Sequence, residues 1–213
     1  MGTDADRLSS FIRMAARSGA QLVVTPETPL HRFTPYEQNG TTMSDFAAEY
    51  DRMAGHFSSL AADLGITLIV GLREPAGSGT FNSAVCFGPG GEILGIHRKH
   101  WPSNEEARYT SSGGAGTIIG TPVGRIGLAI CKDVHSPAVQ NAYGPGSIDL
   151  FVLISADPDG QNFADIGNIC ARAGCRGVLV NQDISAGNSA TVSANGDIDY
   201  FGSGEDIFYT DLP

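Results

Sequence analysis

Apolar residues spaced for helices alternate with strand-like apolar runs at both ends of this chain, whereas in its middle strand follows strand. Within 4–17, Leu8, Phe11, Ile12 and Ala15 recur at helical spacing, and after Gly19 the run Leu22-Val23-Val24 is predicted as a short buried strand. From 44 to 64, Phe46, Tyr50, Met53, Phe57, Leu60 and Leu64 mark one face of a long helix, with Ser44 as its N-cap and Gly65 as its stop. A strand from Ile66 to Leu72 follows. Phe81–Phe87 and Glu92–Arg98 then form a hairpin across Gly88-Pro89-Gly90-Gly91, and a second pair, Gly116–Ile119 and Arg125–Ile130, turns at Pro122-Val123-Gly124. The spacing next predicts a helix at 134–143, a strand at Leu150–Ile154, a helix at 162–174 and a strand at Gly177–Asn181. Extended segments around Ser189–Ser193 and Ile207–Thr210, with the turn Asn195-Gly196 between them, finish the chain. Helix–strand alternation with central hairpins predicts a layered α/β sandwich, not a purely parallel doubly wound sheet. With no repeat, low-complexity tract or linker, 1–213 is expected to be a single domain.

Composition narrows the chemistry. The 213 residues are 41% hydrophobic, enough for one substantial core, and the net charge of −10 repels phosphate backbones and anionic lipid, so nucleic acid is not an expected partner. No run approaches a membrane span, and the start MGTDADRLSS lacks the basic-then-apolar pattern of an export signal. The four cysteines Cys86, Cys131, Cys170 and Cys175 contain no C-x-x-C pair and are too scattered for a disulfide scaffold. Reduced thiols and a cytoplasmic location are the expectation.

Three polar residues stand where predicted strands end: Glu27 after Leu22-Val23-Val24-Thr25-Pro26, Lys99 after Ile96-His97-Arg98, and Cys131 after Gly127-Leu128-Ala129-Ile130. Each alone is unremarkable, since a carboxylate or lysine after a strand is usually a solvated loop residue and a cysteine there is usually core filler. Together they supply a nucleophile, a base for its proton and a cation for an oxyanion, the set that covalent acyl chemistry needs. A thiol is only a few per cent ionised at neutral pH, so such a nucleophile requires the neighbouring base or cation.

The segments Val23-Val24-Thr25-Pro26-Glu27, His97-Arg98-Lys99-His100-Trp101-Pro102 and Gly127-Leu128-Ala129-Ile130-Cys131-Lys132-Asp133 resemble, in order and spacing, the three signature segments of the carbon–nitrogen hydrolase (nitrilase) superfamily. Phe81-Asn82-Ser83-Ala84 is similar to the strand that precedes the family's lysine. The Cys-Lys-Asp form and the Pro-Glu-Thr-Pro-Leu segment resemble the branch of apolipoprotein N-acyltransferase catalytic domains and their soluble relatives. The resemblance implies a four-layer α-β-β-α sandwich, with Cys131 as nucleophile, Glu27 as general base and then acid, Lys99 as oxyanion cation and the backbone N–H of Lys132 as a second oxyanion donor. The Lys132 side chain points to solvent or adds charge near the thiolate. A second glutamate that orients the lysine is also implied; Glu105 and Glu106 both lie within reach, and Glu106 aligns better through Arg108-Tyr109. Relatives open with a strand before the first helix and this chain begins at the helix, so one strand is missing from a sheet, a gap compatible with the dimers common in the superfamily.

The implied reaction is amide hydrolysis through a Cys131 thioester on a small-molecule substrate without a cofactor; the alternatives are N-acyl transfer by the same acyl-enzyme, with a membrane role only as part of a longer acyltransferase, and a non-catalytic module of the same fold. Loops 28–43, 101–115 and 156–162 are expected to line the pocket, bringing Phe33, Tyr36, Trp101, Tyr109 and Ala156 toward a partly apolar acyl group. His97 and His100 lack a third ligand for zinc, and Gly113-Gly114-Ala115-Gly116 lacks the lysine of a phosphate loop, reading instead as a flexible loop near the entrance. No G-x-S-x-G elbow is present. Cys170 and Cys175 are expected to pack a helix end on a sheet, and Arg172 either pairs with Glu27 or a loop acid, or is exposed.

Overall fold

The computed structural model describes residues 4–30, 43–77, 79–157, 164–182, 188–200 and 206–211. Helix α1 (Asp4–Arg17) carries acids in its first turn and Arg17 in its last, complementing the helix dipole, and buries Ile12 and Ala15. Strand β1 (Leu22–Val24) follows, then helix α2 (Met43–Leu64), which Gly65 stops at φ +63°. The helix begins at Met43, so Ser44 lies inside its first turn and is not the N-cap. Strands β2 (Thr67–Ala76), β3 (Gly79–Phe87) and β4 (Ile93–Arg98) complete one sheet. β2 runs four residues past the expected Leu72, because its pairing with β3 continues unbroken to Ala76 opposite Gly79.

The second sheet takes β5 (Thr117–Thr121), β6 (Gly124–Ile130), β7 (Leu150–Ser155), β8 (Arg176–Asn181), β9 (Ala190–Val192) and β10 (Ile198–Tyr200). Helix α3 (Pro137–Ala142) connects β6 to β7, and α4 (Ala164–Ala173) connects β7 to β8. Among the described residues the strand orders are β1-β2-β3-β4 and β10-β9-β8-β7-β6-β5. β6, β7 and β8 are parallel to one another, and every residue of β7 is buried, which is why these strands read as continuous apolar runs. The segment Ile207–Thr210 forms no strand. The Asn195-Gly196 turn closes within four residues, Ser193 N–H to Asp197 O, so the partner of β9 has to be the chain immediately beyond it, β10.

Three apolar clusters define four layers. Phe57, Leu60 and Ile12 of the helices pack on Leu68, Val70 and Val85 of the first sheet. Ile69, Ala84 and Cys86 meet Ile126, Leu128, Val152 and Ile154 between the sheets. Phe151, Leu153 and Leu179 of the second sheet meet Ile166, Ile169 and Cys170 of α4. The molecule is therefore an α-β-β-α sandwich. Among described strands β1 pairs only with β2, and beside it a groove of about 1300 Å³ opens between Phe11, Leu22, Val178 and Ala190. This edge is where the sheet is short.

Candidate active site

Glu27 is delivered by a strand that stops. Thr25 extends the β1–β2 pairing by donating its N–H to Ile69 O, and its hydroxyl accepts the Gly71 N–H; Pro26 then has no N–H to give. The next N–H, that of Glu27, donates across to Ser155 O at the end of β7 in the other sheet. Gly71 permits this path: a Cβ there would lie 2.5 Å from Pro26 O and 2.6 Å from Thr28 N. Thr28 adopts φ +41°, a conformation that side chains disfavour and that marks a held turn. Glu27 ends 1% exposed.

Lys99 continues β4, donating its N–H to Asn82 O, while its carbonyl accepts the Gly113 N–H. Its ammonium donates to Glu27 Oε1 at 2.7 Å and to Glu106 Oε2 at 2.9 Å. The glycine run is thus pinned against the lysine segment rather than lying loose at an entrance. A Cβ on Gly113 would sit 2.1 Å from Arg98 O, so only glycine allows the approach.

Glu106 opens a short 3-10 turn, Glu106–Arg108, and is buried, while Glu105 is exposed. The Ser103 hydroxyl accepts the Glu106 N–H and the Glu106 carboxylate accepts the Ser103 N–H. This is the reciprocal Ser-x-x-Glu capping pattern. The pattern picks Glu106 over Glu105 and was available in the sequence, where it went unused.

Cys131 stands at the end of β6 with φ +49°, leading into a 3-10 turn, Cys131–His135. A non-glycine residue held in this region at a strand end is characteristic of functional turns. Asp133 anchors the turn: its carboxylate accepts the Ile130 N–H at 3.0 Å, the Trp101 N–H at 2.8 Å, and lies 3.0 Å from His97 Nε2. His97 belongs to β4, so this buried pair ties the lysine-bearing sheet to the cysteine-bearing one. His97 Nδ1 faces Thr117 Oγ1 and His100 Nδ1 faces Gly113 O, so the two histidines turn to different partners. Among the described residues, no group of three or more His, Cys, Asp or Glu is placed to hold a metal ion.

The electrostatics follow from burial. Desolvation raises the Glu27 pKa above its ordinary value, Lys99 opposes the rise and Glu106 adds to it. For Lys99, desolvation disfavours the ammonium, but the charges of Glu27, Cys131 and Glu106 outweigh it and the pKa stands above that of an ordinary lysine. Burial pushes the Cys131 thiol up to about 12, Glu27 adds to the rise, and Lys99 and the Ser155 hydroxyl pull against it. Glu27, Lys99 and Cys131 therefore feel one another in one buried place, although they lie 72 and 32 residues apart in sequence.

Of the other expected site residues, Lys132 has an exposed side chain and Ala156 is half-buried directly after Ser155. Trp101 is 48% exposed, held by its backbone, not by its ring. Tyr109 is half-buried with the Arg73 guanidinium 5.3 Å above its ring. Arg172 does not reach Glu27; it is exposed and donates to Gln140 O and Asn141 Oδ1, because its position on α4 faces α3. Cys170 and Cys175 are buried at the C-terminal end of α4. Phe33, Tyr36 and positions 158–162 lie outside the described residues. Reading the sequence for motifs missed Asn82, Ser155, Gly71 and the His97–Asp133 pair, whose roles depend on neighbours from other elements.

An α-β-β-α sandwich with a buried Glu-Lys-Cys cluster at the ends of strands from both sheets defines the class. The chain belongs to the carbon-nitrogen hydrolase family, whose pattern matches residues 3–198. It is 28% identical over 187 residues to Nitrilase 3 of Arabidopsis thaliana, covering 80% of this chain and 54% of that protein. A bifunctional nitrilase/nitrile hydratase of Lupinus angustifolius is 27% identical over 198 residues, covering 83% and 56%. The chain spans about half the length of the curated relatives it matches. An amidase from Nesterenkonia sp. superposes with a TM-score of 0.81 at 20% identity, covering 94% of this chain and 80% of that one. A carbon-nitrogen hydrolase from Helicobacter pylori G27 does so with the same score and identity, covering 97% and 83%. These superpositions share the fold described above.

Proposed function

We propose that this chain carries the active site of a thiol hydrolase that cleaves amides through an acyl-enzyme on Cys131. The observation that carries the reading is the state of Glu27: Oε1 is taken by Lys99 and Asn82, while Oε2 is buried and accepts no hydrogen bond among the described residues. A carboxylate oxygen kept dry and bare next to a thiol with a pKa of about 12 is a proton acceptor in waiting.

In this reading the Cys131 proton passes to Glu27 Oε2 as the sulfur attacks the carbonyl carbon. The oxyanion is met by the Lys99 ammonium and by the N–H of Lys132, which lies in the first turn of its 3-10 segment, where no intrahelical acceptor exists. Glu27 returns the proton to the departing amine, leaving a thioester. Water, losing a proton to Glu27, then releases the carboxylic acid and the free thiol. Glu106 and Ser103 hold Lys99 in place. Support comes also from the Nesterenkonia amidase, in which the acetamide moiety of fluoroacetamide adds covalently at the active site cysteine. Nitriles are the second reading, favoured by the nitrilase names of the plant relatives.

The test is a screen of simple amides, acyl-amino acids and nitriles, with hydroxylamine added in one arm to capture acyl transfer as a hydroxamate. Glu27→Gln is expected to lower kcat by about 10²–10⁴-fold, and Cys131→Ala to abolish turnover and acylation. Turnover that survives Cys131→Ala removes the reading; turnover on nitriles alone replaces amides with the second substrate class.

A further inference from the structure

Asn82 makes contacts that a residue in the middle of a strand does not need for packing. It lies on β3, buried, and its side-chain nitrogen donates to Glu27 Oε1 at 2.6 Å and to Glu106 Oε1 at 2.7 Å. An amide nitrogen has two N–H groups to give and nothing with which to accept, so both carboxylates are acceptors here. The opposite orientation would set the amide oxygen against two anionic oxygens. That arrangement leaves the Asn82 oxygen buried without a hydrogen bond among the described residues, an energetic cost that a purely packing role would not sustain.

The remaining donors complete the pattern. Lys99 gives one N–H to Glu27 Oε1 and another to Glu106 Oε2, and the Ser103 N–H also reaches Glu106 Oε2. Three of the four carboxylate oxygens thus face N–H hydrogens, and a proton placed on any of them would meet another hydrogen. Only Glu27 Oε2 can take a proton without displacing a donor.

We infer that Asn82 is a positioning residue that makes Glu27, and not Glu106, the proton carrier of the two glutamates sharing Lys99, and fixes Oε2 as the atom that carries the proton. This rests on the assignment of Cys131 and Glu27 as the reacting pair. When Asn82 is replaced, Glu106 Oε1 loses its donor and becomes a rival proton site, while the Glu27 carboxylate is free to turn. The ionisable groups facing Glu27 are Lys99, Glu106 and Cys131. Behind them Tyr109 faces Lys99 and Glu106, and Asp157 faces Cys131. None of these is altered by replacing Asn82.

The test needs no substrate. Iodoacetamide alkylates Cys131 when the sulfur displaces iodide, forming an S–C bond as the thiol proton leaves to Glu27. The rate, followed by mass spectrometry of the Cys131 peptide in the full chain, has an acid limb set by Glu27. In Asn82→Ala and in the equally sized Asn82→Asp, each first matched to the parent by circular dichroism, the limb moves to higher pH. Alkylation on its acid side becomes about tenfold slower, the size expected from losing a hydrogen bond to a charged group, and the rate above the limb is retained. In the unaltered protein the Asn82 side-chain amide resonances shift across the same limb and cease to do so in Glu27→Gln. A limb that stays in place while the rate falls equally at every pH, or amide resonances indifferent to pH, overturns the inference. Equal alkylation of Glu27→Gln and the parent at every pH instead overturns the Cys131–Glu27 reading on which it rests.

Discussion

A thiol whose pKa is pushed to about 12 is almost wholly protonated near neutrality, so the reactivity of Cys131 depends on the base beside it rather than on a standing thiolate. The sign of the pH dependence follows. Burial raises the Glu27 pKa above the ordinary carboxylate value, and Glu27 works as a base only when ionised. Activity is therefore expected to fall as the pH drops through a limb lying above the usual carboxylate range, with no gain from free thiolate until the medium is strongly alkaline. A profile of kcat/KM against pH checks this; a limb at the pKa of a solvated glutamate contradicts it. Glu27, Lys99 and Cys131 were legible in the sequence because each follows a strand in a recognisable segment. Asn82 was not, because nothing in Phe81-Asn82-Ser83-Ala84 says which way the amide faces or what two acids meet it. The Cys-Lys-Asp form suggested a particular branch of the superfamily, yet the exposed Lys132 side chain brings no chemistry into the site that would distinguish one branch from another.

At the scale of elements, the site is made where strands stop. β1 ends on a proline, β4 on a lysine gripped from both sides by backbone bonds, and β6 on a cysteine in a strained turn anchored by Asp133. Gly71 in β2 is the least conspicuous part of this arrangement, a glycine inside an apolar strand whose missing Cβ lets the Pro26–Thr28 segment lie against it. Gly71→Ala forces backbone apart. It is expected to cost about 1–3 kcal/mol of stability and, through a displacement of about 1 Å at Glu27, on the order of 10² in kcat. Urea denaturation and kinetics on the refolded protein test the two halves separately. An alanine variant with parental kcat shows that Glu27 does not depend on this approach. The sequence showed a glycine in a strand; that it faces Pro26 O and Thr28 N is a fact about parallel pairing with β1 that no local pattern contains.

At the scale of the molecule, the two sheets bring the parts together, Glu27 and Lys99 from one and Cys131 from the other, with the inter-sheet core beneath them. The layers should therefore separate in their effects. Phe57→Ala, in the helix layer, is expected to cost about 3–5 kcal/mol while leaving kcat per folded molecule unchanged. Ile69→Ala, between the sheets, is expected to cost about 2–5 kcal/mol and to lower kcat as well. Denaturation midpoints with active-site titration measure both; equal kcat in the two variants would show that the seam does not govern the site. Among the described residues no helix is long and apolar enough to cross a membrane. The sequence alone determined the succession of helices and strands, the α/β class and the three segments bearing the acid, the cation and the thiol, because periodicity and strand ends are written locally along the chain. Tertiary structure decided which glutamate meets Lys99, which oxygen of Glu27 is left bare, where Trp101 and Arg172 point, and that Asn82 and Asp133 hold the parts in place. Those outcomes depend on distances between side chains remote in sequence, and such distances are set only when the two sheets pack face to face.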